Sequence, residues 1–66
     1  GETRLVLARE LARLPDRQRL AVLLHHFEGL PVRDVAGALG VSEHAAESLV
    51  ARGMATLRLR LQALRP

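Results

Sequence analysis

The stretch Val32-Arg33-Asp34-Val35-Ala36-Gly37-Ala38-Leu39-Gly40-Val41-Ser42-Glu43-His44-Ala45-Ala46 decides the fold. Val32, Val35, Ala36 and Leu39 recur at three- and four-residue steps, which is the helical period. Gly40 then supplies the left-handed turn that residues carrying a Cβ resist. Val41 packs beneath that turn. Ser42 can accept one of the orphan backbone N–H groups that open the next helix. From Glu43 the period resumes through Ala46, Leu49, Val50, Gly53, Leu57, Leu61 and Leu64. This predicts one long helix to about Ala63, roughly 30 Å at 1.5 Å per residue. Two helices joined through a glycine turn, with the small Ala36 at their crossing, make a helix-turn-helix over Val32 to about Leu61. In a DNA-binding motif of this kind, the first turns of the second helix enter the major groove.

Working outward, Leu5, Ala8, Leu11 and Ala12 give Glu2–Arg13 a helical period, and Leu14 and Pro15 interrupt it. Proline lacks the N–H that a helix interior needs but suits a first turn, so Pro15 starts a second helix. Asp16 follows it, where negative charge favours the helix dipole. Leu20, Leu23, Leu24 and Phe27 form that helix's inner face to about Glu28, and Gly29 stops it. No segment alternates convincingly with period two. The expectation is an all-α, compact four-helix domain, residues 1–66, containing a helix-turn-helix. Its long C-terminal helix outruns the other three and projects. A chain of this size buries about 60% of its unfolded surface and holds a stability of about 3–10 kcal/mol.

Composition excludes several classes of function. There is no cysteine, so disulfides, thiolate chemistry and most zinc designs are out. His25 and His26 are adjacent and point to different helix faces. Together with His44 they show no ligand spacing, so no metal or cofactor is expected. Near a helix C-terminus, protonated histidines suit the dipole. Neither Ser42 nor Ser48 has a His–Asp arrangement, and no paired carboxylates stand out, so an enzyme is not expected. No apolar run reaches the roughly 18 residues of a membrane span and no signal pattern opens the chain, so the expected location is cytoplasmic. Net charge is +3, from ten arginines and no lysine, but it is unevenly spread. Residues 31–51 set Arg33 against Asp34, Glu43 and Glu47, net −2, whereas residues 52–66 carry Arg52, Arg58, Arg60 and Arg65 with no acid.

Four motifs carry a family likeness: Leu14-Pro15-Asp16-Arg17-Gln18-Arg19, Glu28-Gly29-Leu30-Pro31 leading into Val32–Ala36, Leu39–Glu43, and Arg52 with Leu57-Arg58. Over roughly residues 10–62 the chain resembles region 4 of bacterial RNA polymerase sigma factors, of the extracytoplasmic-function (group IV) kind. The opening Leu14, Pro15 and Arg19 is the most telling part. LuxR-type response-regulator domains share the later pattern but usually lack that proline. The resemblance implies a fragment of a longer sigma factor that reads the −35 promoter element and rests on the flap of the polymerase β subunit. It implies DNA contacts at Arg33, Ser42, Glu43, His44, Glu47, Ser48, Ala51 and Arg52. The chain departs from the family at Glu47 and Leu49, where basic residues are common, and at Met54, which replaces an arginine.

Exposed apolar patches mark partner sites. Leu57, Leu61 and Leu64, with Arg58, are expected on the projecting helix end, and Leu7, Leu14 and Leu30 add apolar surface elsewhere. These are candidates for contact with the β flap or an anti-sigma factor. The terminal arginines Arg58, Arg60 and Arg65 read as a solvated face or as phosphate contacts. Two further readings share the fold. One is a protein-interaction module bound by an anti-sigma factor or another regulator, with weak DNA contact. The other is a LuxR-type output domain that dimerises through its last helix.

Overall fold

Helix α4 (Glu43–Ala63) is the spine against which the rest of the chain packs. It follows α1 (Glu2–Arg13), α2 (Asp16–Val22) with its continuation as a π turn (Leu23–Phe27), and α3 (Val32–Leu39). The computed structural model describes residues 1–64 and shows no strand among them. Arg65, counted above among the terminal arginines, lies outside the described residues. The molecule measures 39 × 19 × 16 Å with a radius of gyration of 12.2 Å. A round chain of this length has a radius of about 11 Å, so the fold is stretched along α4.

The expected helix signals form, each for a local reason. Gly40 sits at φ +69°, and the Val41 N–H donates to Ala36 O at 3.0 Å across it. Ser42 Oγ accepts from the Ala45 N–H at 3.0 Å and caps α4. Pro15 stands one position before α2, and its carbonyl accepts the Arg19 N–H at 2.9 Å. The Arg19 guanidinium reaches back across this corner, donating to Leu14 O at 3.1 Å and Ala12 O at 3.3 Å while pairing with Asp16 at 2.7 Å. The Leu-Pro-x-x-x-Arg opening is therefore a corner brace: the arginine satisfies carbonyls that the end of α1 leaves without helical partners.

The second helix departs from expectation. After Val22 it widens to i→i+5 hydrogen bonds, ending with the Glu28 N–H on Leu23 O at 2.9 Å. Gly29, at φ +77°, then closes it. Its buried line is Ala21 and Val22, both fully enclosed, while Leu20 and Phe27 are exposed and Leu23 and Leu24 half-buried. The inner face is thus rotated by about one residue from the one read off leucine spacing. The reason is close approach to α4 at Gly53. A Cβ placed on Gly53 would lie 2.5 Å from Val22 Cγ2 and 3.3 Å from the Gln18 carbonyl oxygen. Small residues on the buried line let the two backbones meet.

Helix α1 also buries a different face. Leu5, Ala8 and Ala12 are exposed, Leu11 is half-buried, and the enclosed position is Glu10. Glu10 pairs with Arg13 at 3.3 Å and meets Arg60 Nε of α4 at 3.8 Å. Leu14, expected on the surface, is only 3% exposed. It shares a cluster with Val22 and Leu57. Contact of Glu10 with Arg60, and of Leu14 with the Leu57 cluster, sets α1 antiparallel to the C-terminal half of α4. That half is sheathed by α1 as far as Arg60 instead of projecting bare.

The core has two lobes. One joins Ala21, Val35, Ala36, Ala46 and Val50, with Leu24, Leu30, Val32, Leu39, Val41 and Leu49 packed around them. The other is the Leu14, Val22 and Leu57 cluster with Leu11. Met54 packs against both. The first lobe holds the helix-turn-helix rigid; the second fastens α1 to it.

Candidate nucleic-acid interface

The buried line of α4 runs through Ala46, Val50, Gly53 and Leu57. Helical geometry therefore turns His44, Glu47, Ser48, Ala51 and Arg52 to the opposite side. The structure agrees: His44, Glu47, Ala51 and Arg52 are exposed and Ser48 is half-buried. Ser42 and Glu43 are exposed at the N-terminus of α4, and Arg33 is exposed at the start of α3. The helix-turn-helix thus brings every one of the eight sequence-predicted contact residues to the solvent side. Their backbone is held from beneath by Val35, Ala36, Ala46 and Val50.

Leu49 and Met54 belong elsewhere. Both are half-buried and pack against the core, so neither occupies the outer face where a basic side chain could meet a phosphate. Of the three departures from the family pattern, only Glu47 stands on the presented surface. The charge of that surface comes from Arg33, Asp34, Glu43, Glu47 and Arg52, all exposed. Neither Glu43 nor Glu47 has an ion-pair or side-chain hydrogen-bond partner among the described residues.

The expected partner surface needs revision. Leu57 is 3% exposed and belongs to the core, because α1 covers it. Leu61 is half-buried, and Arg58 and Leu64 are exposed. The residue that sequence reasoning passed over is Leu59, the most exposed large apolar side chain at 69%. In Leu57-Arg58-Leu59-Arg60-Leu61 the alternation of leucine and arginine hides the helical phase. Arg60 folds inward to Glu10 and Leu59 outward to water. Of the other apolar candidates, Leu7 and Leu30 are half-buried. His25 serves the turn after the π segment, its Nδ1–H donating to Leu30 O at 2.7 Å.

Comparison with known proteins places this geometry in a family. Residues 4–57 match the family described as sigma-70, region 4. The chain is 40% identical to the RNA polymerase sigma factor FliA of Pseudomonas aeruginosa over 55 residues, 83% of this chain and 22% of that protein. It is 41% identical to the ECF RNA polymerase sigma factor SigM of Mycobacterium tuberculosis over 56 residues, 85% of this chain and 29% of that protein. The chain thus spans less than a third of the length of these relatives. The likeness to SigM agrees with the extracytoplasmic-function kind. No solved structure matches the chain. No helix among the described residues is long and apolar enough to cross a membrane. On the match over residues 4–57, the chain belongs to the sigma-70 region 4 family.

Proposed function

We propose that this chain acts in transcription initiation as the C-terminal domain of a sigma factor, in the cytoplasm, reading the −35 element of promoter DNA and resting on the polymerase β flap. The observation that supports it is the outward side of the helix-turn-helix, where Arg33 of α3, the cap Ser42, and Glu43, His44, Glu47, Ala51 and Arg52 of α4 are exposed, with Ser48 half-buried, over the core of Val35, Ala36, Ala46 and Val50. In this reading the first turns of α4 meet base edges, and Arg33 and Arg52 meet phosphates. The activity is binding, and it calls for no cofactor.

Phosphate contact makes affinity fall with salt, by a slope of about −0.9 per phosphate neutralised. Fluorescence anisotropy of this chain on duplex DNA should therefore show binding that weakens steeply between about 50 and about 200 mM salt. Arg33→Ala and Arg52→Ala should each flatten the slope by about one. Binding that ignores both salt and these substitutions would count against the reading.

A second reading is favoured by the exposed Leu59, Leu64 and Arg58 at the C-terminal end of α4, and by the net negative charge of the presented face. In it the domain is chiefly held by a protein, the β flap or an anti-sigma factor. Leu59→Glu should then abolish capture by polymerase core or by the regulator while leaving the anisotropy titration unchanged. Retention of capture by that variant would remove Leu59 from the partner surface.

A further inference from the structure

Glu47 is the feature of the presented face that fold and stability leave unexplained. Glu43, one turn earlier, has a local reason: it is the first residue of α4, where a carboxylate faces the positive end of the helix dipole. Glu47 lies in the second turn, beyond that effect. It is exposed and has no ion-pair or hydrogen-bond partner among the described residues. It also stands four residues from Glu43, a spacing at which like charges repel. Its neighbours towards the N-terminus on the same face are Glu43 and His44, both exposed; towards the C-terminus they are short, Ser48 beside it and Ala51 one turn on. On that C-terminal side nothing longer than a serine stands beside the carboxylate. Its acidity is a local cost and a liability near phosphates.

A carboxylate can only accept hydrogen bonds. In the major groove, cytosine offers the N4 amino donor alone. Adenine offers an N6 donor beside the N7 acceptor, while guanine and thymine present acceptors, thymine with a methyl group. We infer that Glu47 is a specificity-determining residue of this DNA-binding face, requiring cytosine at one base position and excluding guanine and thymine there. The inference rests on the DNA-reading function proposed above. Glu47 then contributes discrimination at the expense of general affinity. Arg33 and Arg52 supply the phosphate attraction that offsets its charge.

The test is selection of duplexes from a pool with a randomised core, by this chain at low salt, followed by sequencing of the bound fraction. The wild-type chain should select cytosine at one position, with roughly tenfold preference over guanine or thymine. Glu47→Gln should move that position towards adenine, since an amide pairs with adenine N6 and N7. Glu47→Ala should flatten the preference there alone and raise affinity for the unselected pool. Glu2→Gln, which alters an exposed carboxylate on α1, should leave the preference at that position unchanged. All are substitutions of exposed side chains, and circular dichroism should show unaltered helix content and melting. If wild-type and Glu47 variants select the same bases at every position, the inference is overturned while DNA reading stands. If the wild-type chain selects no sequence at all, the DNA-reading proposal fails and this inference fails with it.

Discussion

Replacing Gly53 by alanine puts two opposing effects of known size into one methyl group. Inside a helix, alanine is better than glycine by about 0.5–1 kcal/mol, because glycine has more backbone freedom to lose. Against that, the new Cβ would lie 2.5 Å from Val22 Cγ2 and 3.3 Å from the Gln18 carbonyl oxygen. Ordinary carbon contacts are at about 3.5–4.0 Å, so about 1 Å must be found. Val22 cannot yield it cheaply. It is fully buried, and a β-branched side chain in a helix has one preferred rotamer. The Gln18 oxygen is backbone, so relief means moving α2 off α4. Overpacking of this kind costs about 1–3 kcal/mol. The net loss should be about 1–2 kcal/mol, a melting point lower by about 5–15 °C in a domain of this size.

Thermal unfolding followed by far-ultraviolet circular dichroism measures the shift. Gly37→Ala is the internal control. Gly37 is helical and exposed, and its Cβ would meet nothing within 4 Å, so that variant should be more stable by about 0.5–1 kcal/mol. In the Val22→Ala background, Gly53→Ala should lose most of its penalty, giving a coupling of about 1 kcal/mol in the double-mutant cycle. If Gly53→Ala melts at or above the wild-type temperature, the close approach of α2 and α4 is not what this position requires.

Two other substitutions probe the ends of the spine. Ser42→Ala removes the Oγ acceptor of the Ala45 N–H and should cost about 1 kcal/mol in urea unfolding; a change below about 0.3 kcal/mol would mean the cap is idle. Glu10→Ala leaves Arg60 without its carboxylate, although Arg60 Nη1 is already buried without a hydrogen-bond partner among the described residues. That should cost about 2 kcal/mol. Glu10→Met, which keeps the volume, should recover part of the loss. Equal melting of all three chains would show that α1 is not fastened through this pair.

The helix-turn-helix was legible because its signals are local. Gly40 needs a positive φ, Ser42 a nearby N–H, and Val35, Ala36, Ala46 and Val50 a common inward face. Each is settled within a few residues. The same holds for the six outward-facing contact candidates of α4, Glu43, His44, Glu47, Ser48, Ala51 and Arg52, whose direction follows from the period of one helix. The Leu14, Pro15 and Arg19 opening was legible as a family mark, and the structure adds its physical content as a brace on carbonyl oxygens.

What the sequence could not decide was which apolar face goes inward where two were available. In α1, Leu5, Ala8 and Ala12 offered a plausible stripe, yet the helix buries Glu10 and Leu14, because only tertiary contact brings Arg60 to neutralise the acid. In α2, leucine spacing pointed to Leu20 and Phe27, yet Ala21 and Val22 are enclosed, because a glycine 31 residues after Val22 lets α4 come close. Leu57, expected as partner surface, became core for the same reason: α1 lies over it. Periodicity within a helix tells which residues share a face. Only the packing of one helix on another tells which face is covered, since that depends on charges and volumes contributed by residues far away in the chain.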